Sequence, residues 1–244
     1  MKILLAVDGS AYTKKMLAYL TTHLEVFSAN KMGAGTNIDR RTIESLPSQG
    51  GRASSICEDN SYGGTRIHLT AHIGPARCVL QIDIGFGDAV TPPAKTVVFP
   101  ALLPGFEAPQ LRAYPVYTVI AEKYHAMVML GQANSRMKDF FDLAVIAQRT
   151  ELDGATLAAA IAATFSRRQT ALPTERPLAL TQQFSEDTAK LQQWQAFLNK
   201  NRIKAASLGD TVALLDDLLW PPTQVAATGS RATATWRPDA LRWT

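Results

Sequence analysis

The sequence has few cysteines, no long apolar run and no recognisable targeting segment. Its two cysteines, Cys57 and Cys78, lack the spacing of a metal site, and we expect reduced thiols rather than a disulfide. No apolar run reaches the roughly 20 residues needed to cross a bilayer, which excludes a transmembrane helix. The first residues lack the basic start, apolar run and cleavage site of a signal peptide. We therefore expect a cytoplasmic protein with no membrane partner.

Charge is also scarce. Charged residues make up 19% of the 244 residues and hydrophobic residues 46%, which excludes an intrinsically disordered chain. The net charge is +4, but the basic residues are scattered along the sequence. The charge alone therefore does not indicate a nucleic-acid partner. The length fits one large domain or a domain with an appendage.

The most informative stretch is residues 80–88, with the sequence LQIDIGFGD. Apolar and polar residues alternate up to Gly85, which predicts a strand with one buried face and with Asp83 on the other. Residues 65–72 alternate in the same way, and Gly74-Pro75 separates the two runs, so we predict an antiparallel hairpin. Asp83 then has two interpretations, a carboxylate of a metal–phosphate site or an aspartate that caps the following turn.

Two helices are predicted after this hairpin. The first begins at Pro115, ends at Gly131 and carries Lys123, which is either a charge for a triphosphate or an ordinary surface lysine. The second covers residues 136–149 and carries Asp139 and Asp142 on one stripe. Asp142 forms a surface pair with Lys138 in one interpretation; in the other, one of the two aspartates helps to position a base, a metal ion or Lys123.

The C-terminal half is predicted to be helical. We expect helices at residues 153–168, 186–201 and 207–220, separated by proline-containing loops. On the second of these, Leu191, Trp194 and Leu198 share the apolar side. The tail after residue 226 is expected to be loose until Trp236 and Trp243 dock it.

The N-terminal segment has a different character. Residues 1–7 predict a buried strand, Asp8-Gly9-Ser10 a turn, and residues 13–23 an amphipathic helix. This segment looks like the opening of a universal stress protein, and the resemblance implies that Asp8 lies near a bound adenine nucleotide. Residues 28–59 lack periodicity and are predicted to be loop or linker, with a short helix near 41–46.

Five segments of the remaining chain together resemble the AbiEii-like nucleotidyltransferases, the toxins of type IV toxin–antitoxin systems. The segments are residues 80–92, 99–103, 112–115, 118–127 and 134–143. The resemblance implies an α+β fold, with a nucleotidyltransferase sheet followed by a helical half. It also implies Mg²⁺-assisted nucleotidyl transfer from an NTP to an acceptor such as tRNA or protein, and a cognate antitoxin as partner.

The same resemblance implies roles for individual residues. Asp83 falls on the sheet carboxylate, which is catalytic and binds the metal ion. Lys123 falls on the helix lysine, which is catalytic and contacts the nucleotide. Asp139 or Asp142 falls on a later catalytic aspartate.

The sequence departs from the family pattern in its first third. An Asp-x-Asp strand, which supplies most metal ligands in such enzymes, is absent from the whole sequence. The Gly63-Gly64-Thr65 segment precedes a strand rather than a helix, and a tight turn is expected there. We therefore predict a truncated family member with an incomplete sheet and impaired transfer. Two alternatives remain, an inactive module that binds an antitoxin or another partner, and a stress-protein-like nucleotide binder.

Together these patterns predict four segments along the chain. They are a stress-protein-like fragment at residues 1–33, an irregular linker at 34–61, the nucleotidyltransferase region at 62–225 and a tail at 226–244.

Overall fold

The structure is a computed structural model that describes residues 4–5, 51–58, 62–73, 76–85, 89–101, 105, 107–108, 110–230 and 233–244. Asp8 and the helices predicted at residues 13–23 and 41–46 lie outside these residues. The chain divides into two units, one with residues 1–88 and 96–112, the other with residues 89–95 and 113–244.

The first unit contains a four-stranded antiparallel sheet. Its strands are β1 (Leu4–Leu5), β2 (Gly51–Glu58), β3 (Tyr62–Ile73) and β4 (Ala76–Gly85), in the order β1-β4-β3-β2. The predicted hairpin is confirmed as β3 and β4. Ile82 on β4 is paired with Ile67 on β3, so apolar positions face each other along the hairpin.

Two predictions for this unit were wrong. Residues 51–58, expected to be irregular, form β2, because pairing with β3 satisfies their backbone although their side chains show little alternation. Gly63-Gly64-Thr65, expected to be a tight turn, lies inside β3, where Gly64 is paired with both Ile56 and Gly85. A further two-stranded sheet consists of β5 (Lys95–Val98) and β6 (Gln110–Ala113).

The second unit is mainly helical. Its α-helices are α1 (Val116–Leu130), α2 (Met137–Arg149), α3 (Gly154–Arg167), α4 (Gln182–Glu186), α5 (Thr188–Asn201) and α6 (Leu208–Thr228). A small antiparallel sheet joins β7 (Leu152–Asp153), β8 (Thr235–Arg237) and β9 (Arg242–Trp243). Helices together with small antiparallel sheets agree with the predicted α+β class.

Helix α1 begins and ends where the sequence predicts. Pro115 precedes its first turn and accepts a hydrogen bond from the backbone N–H of Val119. Gly131 follows its last residue at a φ of 46°, a backbone conformation that glycine adopts without the strain a side chain would add. A short 3₁₀ turn at Gly131–Ala133 then leads to α2.

Helix α5 buries a different residue from the one predicted. Leu191 is 45% exposed, whereas Lys190 is only 4% exposed and lies on the same buried side as Trp194 and Leu198. These three buried positions are four residues apart and therefore form one stripe along the helix. The apolar pattern favours Leu191, three positions before Trp194, whereas the buried stripe contains Lys190, four positions before it.

Helix α6 continues through Pro221 and Pro222 to Thr228, although we predicted a loop there. Proline at 221 removes the N–H that would bond the carbonyl of Asp217. That carbonyl instead accepts a hydrogen bond of 3.0 Å from the indole Nε1 of Trp243. Just after the two prolines, the hydroxyl of Thr223 donates to the carbonyl of Leu219.

The core of the second unit includes the C-terminal tail. Trp236 is fully buried, its Nε1 donates to the carbonyl of Ala147 at 2.8 Å, and its ring lies 5.5 Å from that of Trp243. The predicted docking of the tail through these two tryptophans is confirmed. Within the described ranges, no helix combines the length and apolar character needed to cross a membrane.

Candidate functional site

The candidate site is an ion-paired cluster formed by α1 and α2. The Nζ of Lys123 on α1 lies 2.5 Å from Oδ1 of Asp139 and 2.7 Å from Oδ2 of Asp142, both on α2. The Lys123 side chain is 20% exposed and that of Asp139 only 7%. A lysine held by two carboxylates in a partly buried position has a fixed direction, unlike a lysine on an open surface.

The sequence of α2 explains why both aspartates reach Lys123. Phe140, Leu143 and Ala147 are fully buried and fix which side of the helix faces the core. Asp139 and Asp142 are three residues apart, so they share a stripe beside that core face. This placement brings both carboxylates toward α1.

Two further cations surround the carboxylates. The Nε of Arg136 lies 2.9 Å from Oδ2 of Asp139, and the Nζ of Lys138 lies 2.6 Å from Oδ2 of Asp142. The contact of Arg136 is electrostatic only, because the buried Oδ2 of Asp139 accepts no hydrogen bond within the described residues. The five side chains carry three positive and two negative charges, so the cluster has a net charge of +1.

These contacts bear on the structural side of the two interpretations of each charged residue. Lys123 is not an ordinary surface lysine, because its amine is held from two sides. The surface pair of Lys138 and Asp142 exists, and both aspartates also contact Lys123. Two of the three N–H donors of Lys123 are used by carboxylates, and within the described part of the chain the third has no partner.

The cluster does not fit a magnesium ion. Mg²⁺ needs several oxygen ligands, and here both aspartates already contact cationic side chains. Within the described ranges, no group of three or more histidine, cysteine or acidic residues is arranged to hold a metal ion. The cluster is suited to an anion, which the excess positive charge and the Lys123 N–H without a partner among the described residues would attract.

The two other predicted site residues are Asp83 and Asp8. Asp83 lies on β4, an inner strand of the sheet in the first unit, and its backbone partners are Leu4 on β1 and Arg66 on β3. The structure describes its strand position but not its side chain. Asp8 lies outside the described residues. Of the five predicted residues, the structure thus brings together Lys123, Asp139 and Asp142.

A second polar cluster lies on another side of α1. The guanidinium of Arg168 donates to Glu122 at 2.8 Å, and the Nε2 of His125 lies 2.9 Å from the hydroxyl of Thr170. Burial, and then Glu122, raise the pKa of Tyr114 to about 12. Burial is the main cause that lowers the pKa of His125, and the positive charge of Arg168 lowers it further. The negative charge of Glu122 acts in the opposite direction.

We expect His125 to make stability depend on pH. Its folded-state pKa is lowered, so below the unfolded value of about 6.5 the unfolded chain binds more protons than the folded chain. The free energy of unfolding should therefore fall as the pH drops through that value, and His125→Gln should flatten this decrease. Urea unfolding at pH 7.5, 6.5 and 5.5 measures it. Equal pH slopes for both proteins would contradict the prediction.

Sequence reasoning missed two residues near the first cluster. Arg136 had a visible signal, because it precedes Asp139 by three positions on a predicted helix. Lys190 had a weaker signal, its four-residue spacing with Trp194 and Leu198. A search for apolar residues on one side of the helix does not include a lysine.

Comparison with known proteins gives one match. The family model described as "Nucleotidyl transferase AbiEii toxin, Type IV TA system" matches residues 4–214, which is most of the chain. The matched range contains β1 to β4, Lys123 and both aspartates of α2. No curated protein and no solved structure matched the chain in the other two comparisons.

Proposed function

Because this chain belongs to the AbiEii family of nucleotidyltransferase toxins, we propose that it acts through nucleotidyl transfer from an NTP, with Lys123 as the triphosphate contact. The observation that carries the proposal is the Lys123 amine, which two carboxylates hold, and the net positive charge around it; among the described residues its third N–H has no acceptor. Such an amine already has a fixed orientation before an anion binds to it.

The proposed reaction assigns these residues simple roles. An acceptor hydroxyl attacks the α-phosphorus of the NTP and gives its proton to water. A new P–O bond forms while the bond from the α-phosphorus to the α–β bridging oxygen breaks, and pyrophosphate leaves with that oxygen. Lys123 neutralises charge on the phosphates, while Asp139 and Asp142 hold its amine in place. We propose that the acceptor is a tRNA or a protein.

We further propose that transfer is slow in this chain. Nucleotidyl transfer in this class generally uses a divalent metal ion held by clustered carboxylates. The sequence contains no Asp-x-Asp, and the two aspartates of α2 are committed to cations. Asp83 on the inner strand β4 remains as the proposed metal carboxylate, and one carboxylate holds an ion weakly.

The proposed activity is tested with labelled NTPs, Mg²⁺ and tRNA. We expect slow label transfer, which Asp83→Ala abolishes and Lys123→Met lowers by about 10²–10³-fold. Lys200→Met, an exposed lysine of α5, is the matched control and should leave transfer unchanged. No label transfer by the wild-type chain, matching the Asp83→Ala control, would exclude transfer by this chain.

A non-catalytic role is the second proposal, favoured by the neutralised state of both aspartates. In this case the chain binds a cognate antitoxin, which the family's type IV toxin–antitoxin system implies, and performs no transfer. Co-expression with the neighbouring gene product should then yield a stable complex from a protein that transfers no label. A protein that stays monomeric in that experiment would contradict this role.

We also propose two features of the N-terminal region, a stress-protein-like segment and a truncation of the family's first part. The family match begins at residue 4, and β1 pairs with β4, which favours the first strand being part of the family's own sheet. A nucleotide site at Asp8 predicts stabilisation by ATP that Asp8→Ala removes and Lys123→Met preserves. Stabilisation lost only in Lys123→Met would favour the transferase site instead.

A further inference from the structure

Lys190 is a buried lysine far from Lys123 in sequence. It lies on α5, is 4% exposed, and its Nζ donates a hydrogen bond of 2.8 Å to the backbone carbonyl of Asn134. The remaining contacts of this amine are weaker, with Gln193 at 3.5 Å and the ring of Phe184 at 5.4 Å. Buried lysines are rare because the amine must be satisfied inside the protein.

Asn134, whose carbonyl Lys190 contacts, lies three residues before α2 begins at Met137. Asn134 is fully buried, its backbone N–H donates to the carbonyl of Gly131 at 3.2 Å, and its Oδ1 accepts from the N–H of Arg136 at 2.9 Å. With the bond from Lys190, three hydrogen bonds fix the short connection between α1 and α2. This connection sets the position of the first turn of α2, which contains Asp139.

We propose that Lys190 is a positioning residue for the cluster of Lys123, Asp139 and Asp142, acting through the backbone of Asn134. The proposal rests on the function proposed above for Lys123. The separations of 2.5 and 2.7 Å between Lys123 and the carboxylates depend on how α2 lies against α1. Without the bond from Lys190, the carbonyl of Asn134 is buried and unpaired, and the start of α2 opens more often.

Amide hydrogen exchange tests this proposal without any activity assay. In Lys190→Met, exchange of the amides of Met137 and Asp139 should accelerate by at least about tenfold, while amides in the middle of α6 exchange as in the wild type. Lys200→Met on the same helix is the control and should leave all amides unchanged. Unchanged exchange at the start of α2, or equal acceleration in every helix, would overturn the proposal.

A second variant keeps the test decisive if Lys190→Met does not fold. Lys190→Arg keeps a cationic donor but places its nitrogens differently, so we expect a smaller acceleration confined to the same amides. Exchange accelerated evenly throughout the unit would again overturn the proposal.

Nucleotide binding separates this proposal from the one on which it rests. Stabilisation by a non-hydrolysable NTP analogue should disappear in Lys123→Met and weaken in Lys190→Met. If Lys123→Met binds the analogue as well as the wild type does, the proposed function fails, whatever the exchange shows. If only Lys190→Met binds like the wild type and keeps slow exchange, the positioning role fails and the function of Lys123 stands.

Discussion

Trp236→Ala should lower the free energy of unfolding of the second unit by about 3–5 kcal/mol. The side chain is fully buried, and its removal leaves a cavity beside Trp243 and an unpaired carbonyl at Ala147. In a thermal unfolding experiment this loss corresponds to a decrease in Tm of about 6–20 °C. It would be the largest effect of the single substitutions considered, because it combines lost packing with a lost hydrogen bond.

Two controls separate these contributions. Trp236→Phe keeps an aromatic ring but no N–H, so it should cost only about 1–3 kcal/mol. Leu191→Ala removes an apolar side chain that is 45% exposed and should change stability by about 0.5 kcal/mol. If Trp236→Ala costs no more than Leu191→Ala, the tail is not docked as the structure shows.

Lys123→Met should lower the free energy of unfolding by about 2–4 kcal/mol. It leaves the buried carboxylate of Asp139 without its nearest cation, and breaking a buried ion pair costs about 3–5 kcal/mol. The expected loss is smaller here because the Lys123 side chain is 20% exposed and Arg136 stays 2.9 Å from Asp139. Urea unfolding at neutral pH measures it.

A double-mutant cycle identifies the source of this loss. Adding Asp139→Asn to Lys123→Met should cost less than the sum of the two single effects, because the second change removes the unpaired charge. Lys138→Met, whose side chain is 71% exposed, should cost less than about 1 kcal/mol. Additive effects of Lys123→Met and Asp139→Asn would show that the 2.5 Å contact does not stabilise the fold.

Local signals determined much of what the sequence predicted correctly. Pro115 and Gly131 act within one helical turn, so they place both ends of α1 without knowledge of the tertiary fold. The alternation of residues 65–72 and 77–85 is equally local and gave the hairpin. The pairing of Lys123 with the two aspartates was one of two open interpretations, because the spacing within α2 does not show which helix packs against it.

The features that the sequence did not reveal depend on distant partners. Strand β2 has little apolar alternation and exists because β3 offers it a paired edge. From the sequence, Lys190 is expected on the surface. It is buried because the carbonyl of Asn134, 56 positions earlier, accepts a hydrogen bond from its amine. The continuation of α6 past Pro221 likewise depends on Trp243, 26 positions away from the carbonyl that it binds. Propensity and pattern carry no information about such partners.

Pro221 within α6 makes a backbone oxygen permanently available for attachment of the C-terminal tail. In most helices a side chain from elsewhere must compete with the helix's own amide for a main-chain oxygen. Pro221 has no amide hydrogen to offer, so the oxygen of Asp217 is left open for Trp243 whenever the helix is formed. The site to which β9 is anchored is therefore created by the missing amide hydrogen of Pro221, 22 positions before Trp243.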